Sequence, residues 1–163
     1  MSNLNSIWFW QRFVSPHKYY LADELGSYNK NVNYVVNDLM TYERRNMGWN
    51  SPKPKKSNIL VKKNIDSIEK LISKIPVNSV HLCQGIRANG LVGEAQKILK
   101  KKKFKQWLFM EIVEDKGFLG LLRRLVYKFL LFKFRKDIEG ILAIGNGASS
   151  WYSKRGFDSK KIY

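Results

Sequence analysis

Cysteine, histidine and long uncharged apolar runs are all scarce in this chain of 163 residues. Its one cysteine, Cys83, excludes an internal disulfide and fits a reducing cytoplasm, and its place in the apolar run VHLC favours a buried thiol. The two histidines, His17 and His81, show no ligand spacing with other metal-binding residues, so we expect no metal site. No window of about 18 uncharged apolar residues exists, which argues against a membrane-spanning helix.

Familiar nucleotide-binding loops and targeting segments are also missing. A G-x-G-x-x-G fingerprint does not follow the first apolar segment, and there is no P-loop. The N-terminal residues MSNLNSIWFW lack a charged region followed by a long apolar one, so we expect no signal peptide.

Acidic residues are few, since thirteen Asp and Glu oppose thirty Lys and Arg, which gives a net charge of +17. A field of this sign attracts polyanions such as nucleic acid, acidic phospholipid or phosphorylated substrates. A basic nucleic-acid-binding module and a non-catalytic peripheral membrane module are therefore alternative hypotheses. The aromatic residues lie inside apolar segments and no nucleic-acid recognition motif appears, so nucleic acid is not the expected partner.

Short apolar segments alternate with helix-like stretches along the chain. The predicted strands are Ile7–Val14, Val32–Asn37, Asn58–Val61, Ser79–Gln84, Trp107–Val113 and Ile138–Ile144, with Ile162-Tyr163 as the start of another. The predicted helices are Tyr19–Leu25, Ile65–Ile75 with Asn64 as its cap, Leu91–Lys101, Phe118–Arg135 and Ser149–Lys154. The polar stretch that follows Asn37 and contains Pro52 and Pro54 is predicted to be a loop. This alternation predicts an α/β domain, with a doubly wound, mostly parallel sheet of Rossmann type.

Ligands of such sheets bind beyond the carboxyl ends of the strands, where this sequence places several candidate binding and catalytic residues. Those candidates are His17, Lys18, Gln84, Gly85, Arg87, Glu111, Glu114 and Gly145. Histidine can deprotonate a hydroxyl, Lys and Arg can bind phosphate, and a carboxylate can accept a proton from a hydroxyl or bind a sugar hydroxyl. The alternative is structural, with the glycines and His17 in plain turns and the carboxylates paired with nearby cations.

The segment Phe118–Arg135 is apolar, aromatic and cationic at once. It could be a crossover helix that packs on the sheet and turns its cations to water. It could also lie on an anionic membrane, where apolar side chains enter the lipid and cations meet phosphates, and the two interpretations are compatible. The membrane-binding candidates are Arg123, Arg124, Lys128, Lys133 and Arg135.

Four segments occur in a suggestive order: SPHKYYLADEL, HLCQGIR, EIVEDKGFLGLLRRLVYKFLLFK and IEGILAIGNGASSWYSKRGFDSKKIY. In these segments the chain resembles the N-terminal half of a bacterial glycosyltransferase with the GT-B fold, of the retaining family four type. The resemblance covers essentially the whole chain. It implies that residues 1–163 form one Rossmann-like, acceptor-binding domain. The family's donor-binding E-x7-E pair belongs to a C-terminal domain and has no counterpart here, so we expect that domain to be absent and the chain alone to be inactive.

The resemblance implies a hexosyltransferase activity, in which a sugar passes from a sugar nucleotide to a lipid-linked glycan acceptor with retained stereochemistry. The expected pathway is bacterial surface polysaccharide synthesis, such as lipopolysaccharide or capsule, and no cofactor or metal is expected. The expected location is cytoplasmic, peripheral on the anionic inner face of the plasma membrane. The acceptor-binding residues would be His17, Lys18, Gln84, Gly85, Arg87 and Gly145.

The same resemblance points to a carboxylate at the reacting sugar. Many family members carry a histidine at the end of the strand that is predicted here as Trp107–Val113. This chain has Glu114 at or near that position and Glu111 upstream, so either glutamate could be the catalytic residue.

Overall fold

Six parallel strands form the centre of the molecule, with helices on both sides. The computed structural model describes residues 6–28, 31–87 and 90–163, without the side chain of His17. The strands are β1 (Ile7–Phe13), β2 (Val32–Asp38), β3 (Asn58–Val61), β4 (Val80–Gln84), β5 (Gln106–Glu111) and β6 (Ile138–Ile144). The helices are α1 (Pro16–Tyr28), α2 (Tyr42–Asn46), α3 (Ile65–Ile72), α4 (Leu91–Lys101), α5 (Gly117–Phe134) and α6 (Ala148–Ser153), before a 3₁₀ turn at Ser159–Lys161.

The strand order is β3-β2-β1-β4-β5-β6, and every pairing is parallel. This is the order of a doubly wound Rossmann sheet, so the predicted fold class is confirmed. The central strand β1 is buried from Ile7 to Gln11, because helices cover both sides of it. A run of apolar residues without polar alternation is the pattern that such a doubly covered strand requires.

The two sides of the sheet carry separate cores. On one side, which we call the α4 face, α3, α4, α5 and α6 pack over Trp8 and Trp10. On the other, the α1 face, Ala22 of α1 packs against Phe9 and Tyr34. Alternate residues of β1 therefore anchor the two layers.

Predicted boundaries and observed ones differ where partner strands or caps decide them. Asn64 caps α3 as predicted, since its side chain accepts a hydrogen bond from the Ser67 N–H. The strand predicted to run to Val113 ends at Glu111, which pairs with Ile144, the last residue of β6, so no neighbouring strand continues the ladder. The helix predicted to reach Ile75 ends at Ile72 and continues as a turn.

Two further differences concern short segments. Helix α2 lies in the stretch predicted as a loop, and it buries no residue, so it leaves no apolar periodicity in the sequence. The predicted start of a strand at Ile162 forms a single parallel bridge to Ile141, and Tyr163 exchanges backbone hydrogen bonds with the same strand, β6.

Candidate functional site

The connections reverse direction between β1 and β4, since β1 leads to β2 on one side and β4 leads to β5 on the other. Ligands of open α/β sheets bind in the crevice at this switch point, beyond the carboxyl ends of the strands. A hydrogen bond joins the two strand ends here, from the Arg12 N–H to Oε1 of Gln84, at 3.0 Å. The geometry of the sheet therefore places the candidate site around the ends of β1, β4 and β5.

An open cleft of about 300 Å³ lies at these strand ends. Five of the residues predicted from the sequence line it: Lys18, Gln84, Gly85, Arg87 and Glu111. They come from three separate segments of the chain, namely the first turn of α1 and the ends of β4 and β5. The fold thus brings a cation, a guanidinium and a carboxylate to one cleft.

Lys18 lies in the floor of the cleft, where its side chain is 11% exposed. Its Nζ is 5.6 Å from the centroid of the Phe109 ring and 4.0 Å from Oε1 of Glu111. Burial lowers the pKa of Lys18, and the negative charge of Glu111 partly offsets this. A cation held against an aromatic ring with one distant carboxylate can still bind an anionic or hydroxyl oxygen of a ligand.

Glu111 ends β5 and turns its carboxylate toward solvent, where the side chain is 72% exposed. Its backbone carbonyl accepts a hydrogen bond from the hydroxyl of Tyr152, which fixes the strand end. The fixed backbone and free carboxylate suit a group that must accept hydrogen bonds from ligand hydroxyls.

Gly85 lets a ligand approach the backbone. It has a φ of +72°, and a Cβ added there would meet no atom within 4 Å. The Gly85 N–H donates to the carbonyl of Phe109, and its own carbonyl accepts from Nε2 of Gln96. These bonds hold an open, left-handed backbone position in the wall of the cleft.

Two tyrosines complete the cleft, and sequence reasoning missed both of them. Tyr127 comes from α5 and Tyr152 from α6, and their rings lie 6.4 Å apart. Burial raises the pKa of Tyr127, while the charges of Arg87 and Arg123 oppose that rise, and burial also raises the pKa of Tyr152. Both phenols therefore stay protonated at neutral pH; the half-buried ring of Tyr127 can contact a ligand, whereas Tyr152 is 1% exposed and belongs to the core. Their only sequence signal was an aromatic residue in a helix, which is as typical of a core.

The remaining predicted residues lie elsewhere. Glu114 is exposed and does not line the cleft, and its carbonyl accepts a hydrogen bond from Arg123. Gly145 is exposed in the turn after β6, with a φ of +92°, and is not part of the cleft wall either. His17 belongs to the first turn of α1, but its side chain lies outside the described residues.

Asp115 holds the loop after β5 against α6. Its Oδ2 accepts hydrogen bonds from Nε1 of Trp151 at 2.8 Å and from Nη2 of Arg155 at 2.7 Å. The hydrogen bond from Trp151 lowers the pKa of Asp115, and Arg124 and Arg155 lower it further. This carboxylate therefore supports the loop after β5, and its Oδ2 is engaged within the protein.

The inner side of helix α5 faces the cleft and the core, and its outer side faces solvent. Gly120 and Leu131 are buried on its inner side, which also carries Tyr127. Its outer side exposes an apolar stripe that spans about 100° of the helix circumference. This outer stripe consists of Phe118, Leu121, Leu122, Leu125, Phe129 and Phe132, each 45–74% exposed.

The predicted membrane-binding cations divide into two groups around the outer stripe. Lys128, Lys133 and Arg135 are exposed and flank the stripe on its two sides. Lys133 lies 6.0 Å from the ring centroid of Phe129, and Arg135 lies 4.4 Å from that of Phe132. Arg123 and Arg124 lie instead toward the protein, where they donate to the carbonyls of Glu114 and Asp115.

Cys83, whose thiol was expected to be buried, lies in the core together with His81. His81 is fully buried and accepts a hydrogen bond at Nδ1 from Nε1 of Trp10, and burial lowers its pKa to about 4. Cys83 is also fully buried, which raises the pKa of its thiol.

Within residues 6–28, 31–87 and 90–163, no three His, Cys, Asp or Glu side chains come together as metal ligands. In the same part of the chain, every helix is too short or too polar to cross a membrane.

In comparisons with known proteins, no protein-family model matches the sequence, and none of the curated proteins matches it.

Proposed function

We propose that this chain is the acceptor-binding domain of a glycosyltransferase that works on a lipid-linked glycan at an anionic membrane surface. The sugar would come from a sugar nucleotide held by a second domain, and the acceptor hydroxyl would sit in the cleft at the ends of β1, β4 and β5. The segment-by-segment resemblance described above supports this proposal.

One observation carries the proposal: α5 serves both the cleft and the outer stripe. Its inner side contributes Tyr127 to the cleft wall, and its outer side exposes six large apolar side chains flanked by cations. A helix with this distribution is suited to lie in the plane of a membrane interface. A protein held in that way would present the cleft close to the headgroups, where the glycan of a lipid-linked acceptor is found.

The chemistry of the cleft agrees with a sugar acceptor. Glu111 offers exposed carboxylate oxygens to hydroxyl donors, and the half-buried ring of Tyr127 offers a surface on which a sugar can pack. Glu111 would accept a hydrogen bond from the attacking hydroxyl, and Lys18 and Arg87 would bind a negatively charged group of the acceptor. None of these roles requires a metal ion.

Membrane binding can be tested with vesicles of phosphatidylcholine, with and without phosphatidylglycerol. We expect co-sedimentation with the anionic vesicles that weakens as salt is added, because screening reduces the attraction between cations and headgroups. Replacing Phe129 and Phe132 by serine should abolish it. Equal binding to both kinds of vesicle, or to neither, would contradict the proposal.

Sugar binding can be tested separately with methyl glycosides of common hexoses, which carry no lipid chain. In ¹H–¹⁵N spectra they should shift the amide resonances of Gly85, Arg87 and Glu111, and Glu111→Gln should weaken the effect. Glu24→Gln is the matched control, since Glu24 is an exposed carboxylate of α1 that does not line the cleft. Shifts that avoid the cleft for every glycoside would count against an acceptor site there.

A further inference from the structure

A second cavity, separate from the cleft and mostly apolar, forms a groove between α4 and α5. It has a volume of about 480 Å³, within the range of about 300–1,000 Å³ that is common for ligand sites. Leu108 and Ile138 of the sheet form its floor, Leu130 and Phe134 of α5 form one wall, and Gly93 of α4 lies opposite. Gly93 has no side chain to fill this space.

Most polar groups in the groove are engaged within the protein by hydrogen bonds or ion pairs. Lys133 also lines the groove, and its Nζ lies 5.6 Å from the ring centroid of Phe134. Gln96 donates from Nε2 to the Gly85 carbonyl, and Gln106 donates from Nε2 to the Gln96 carbonyl. Among the charged residues, Lys97 pairs with Glu94 at 2.7 Å, and Asp137 pairs with Lys100 at 2.7 Å. A ligand in this groove therefore finds apolar surface and few free hydrogen-bonding groups, which favours a hydrocarbon over a sugar or nucleotide.

The groove adjoins the cleft. Ile86 lines both of them, and its neighbour Arg87 lines the cleft. A molecule with its polar end in the cleft and its apolar end in the groove would pass Ile86, with Arg87 beside the junction. Arginine at such a junction is suited to bind a phosphate.

We propose that the groove between α4 and α5 binds one hydrocarbon chain of the lipid-linked acceptor, and that Arg87 binds the phosphate between chain and glycan. This proposal rests on the function proposed above and extends it from the glycan to the lipid. The acceptor would be recognised along its whole length, with the sugar in the cleft, the phosphate at Arg87 and the chain against Leu130 and Phe134.

The test uses octyl, decyl and dodecyl phosphate, each below its micelle concentration, in calorimetric titrations. We expect affinity to rise on the order of tenfold for each added pair of methylene groups until the groove is full. The alkanols of equal length should bind more weakly, and Arg87→Gln should remove most of that difference. Lys154→Gln is the matched control for charge, since Lys154 is exposed and lines neither cavity.

Two substitutions fill the groove from opposite walls, so that one remains informative if the other fails to fold. Gly93→Leu and Leu130→Trp should each weaken the binding of decyl phosphate at least tenfold. The double substitution Phe129→Ser and Phe132→Ser, on the outer side of the same helix, should leave it unchanged. Circular dichroism and thermal melting establish that each variant is folded.

Several outcomes would overturn the inference. These are no binding of any alkyl phosphate, binding that both groove-filling variants retain, or binding lost in the outer-stripe variant. Self-association that Gly93→Leu abolishes would mean that a second copy of the chain occupies the groove. If alkyl phosphates fail while methyl glycosides and anionic vesicles still bind, only the lipid-chain groove is rejected and the proposed function stands.

Discussion

Nζ of Lys18 lies 4.0 Å from Oε1 of Glu111, so the first turn of α1 and the end of β5 meet across the cleft. The two side chains differ sharply in exposure, at 11% for Lys18 and 72% for Glu111. The cation is thus held within the protein and the carboxylate is left to solvent and ligand. Their separation is large enough that a hydroxyl oxygen between them could contact both groups.

We predict that Glu111→Gln lowers the pKa of Lys18 further. Burial already lowers this pKa and the Glu111 carboxylate opposes that effect, so removing the negative charge leaves burial unopposed. The measurement is a pH titration of ¹³C-methylated lysines by NMR. Glu114→Gln is the control and should leave the titration of Lys18 unchanged, because Glu114 does not line the cleft. A higher pKa in Glu111→Gln would mean that the two groups do not interact as described.

We predict that His81 makes the protein sensitive to acid. Its pKa falls from 6.5 to about 4 on burial, so an unfolded chain takes up a proton before the folded one does. Stability is therefore complete above about pH 6.5 and is lost as the pH falls toward 4, by an amount on the order of 3 kcal/mol. Urea denaturation across this pH range measures the loss.

His81→Gln provides the comparison for that experiment. Glutamine does not titrate, and its side-chain oxygen can still accept the hydrogen bond from Nε1 of Trp10. The variant should therefore lose less stability than the parent between neutral and acid pH. Equal losses in the two proteins would show that other groups cause the acid sensitivity.

The strands and the doubly wound, mostly parallel class of the sheet follow closely from the sequence, and the cleft follows in part. A short unbroken apolar run such as Ile7–Trp10, among others that alternate with helix-like stretches, is typical of a parallel strand covered on both sides. The carboxyl ends of such strands meet at one edge of the sheet. Lys18 and Glu111 could therefore be expected at the same edge. Tyr127 could not, since nothing in a helix sequence tells which aromatic ring faces a cleft and which fills a core.

The exposed side of α5, which carries the outer stripe, could not be predicted from the sequence either. Helix α5 carries apolar residues around nearly its whole circumference, so periodicity cannot separate a packed side from an exposed one. The arrangement of the neighbouring elements decides it, with Leu131 buried and Phe129 left at 63% exposure. The sequence allowed this segment to pack on the sheet, to lie on a membrane, or to do both. The structure shows the packing on its inner side.

We predict that Gly140→Ala destabilises the protein by about 1–3 kcal/mol through overpacking. Gly140 pairs with Trp107 in the sheet, and a Cβ at this position would lie 2.4 Å from Cζ3 of the indole ring. The ring would have to move, since it lies across the glycine. Chemical denaturation measures the change. In a double-mutant cycle, Gly140→Ala should cost much less unfolding free energy in the Trp107→Leu background than in the parent. If the two losses of stability simply add, the contact with Trp107 is not their cause.

We predict that the cations of the segment Phe118–Arg135 contribute unequally to vesicle binding. Lys128, Lys133 and Arg135 are exposed beside the apolar side chains, so each replacement by glutamine should weaken binding to anionic vesicles by about fivefold, which corresponds to about 1 kcal/mol per charge near the surface. Added salt should reduce the difference between parent and variant. Co-sedimentation at two salt concentrations measures both effects.

Arg124→Gln is the matched control, because it removes the same charge from the same helix. Nη1 of Arg124 donates to the Asp115 carbonyl at 2.8 Å and lies 3.4 Å from Oδ2 of that residue, so its role is to hold the loop after β5. Its replacement should lower the melting temperature and change vesicle binding less than Lys128→Gln does. If all four substitutions weaken vesicle binding equally, net charge and not the placement of cations along the stripe governs attachment. The orientation proposed for α5 would then be wrong.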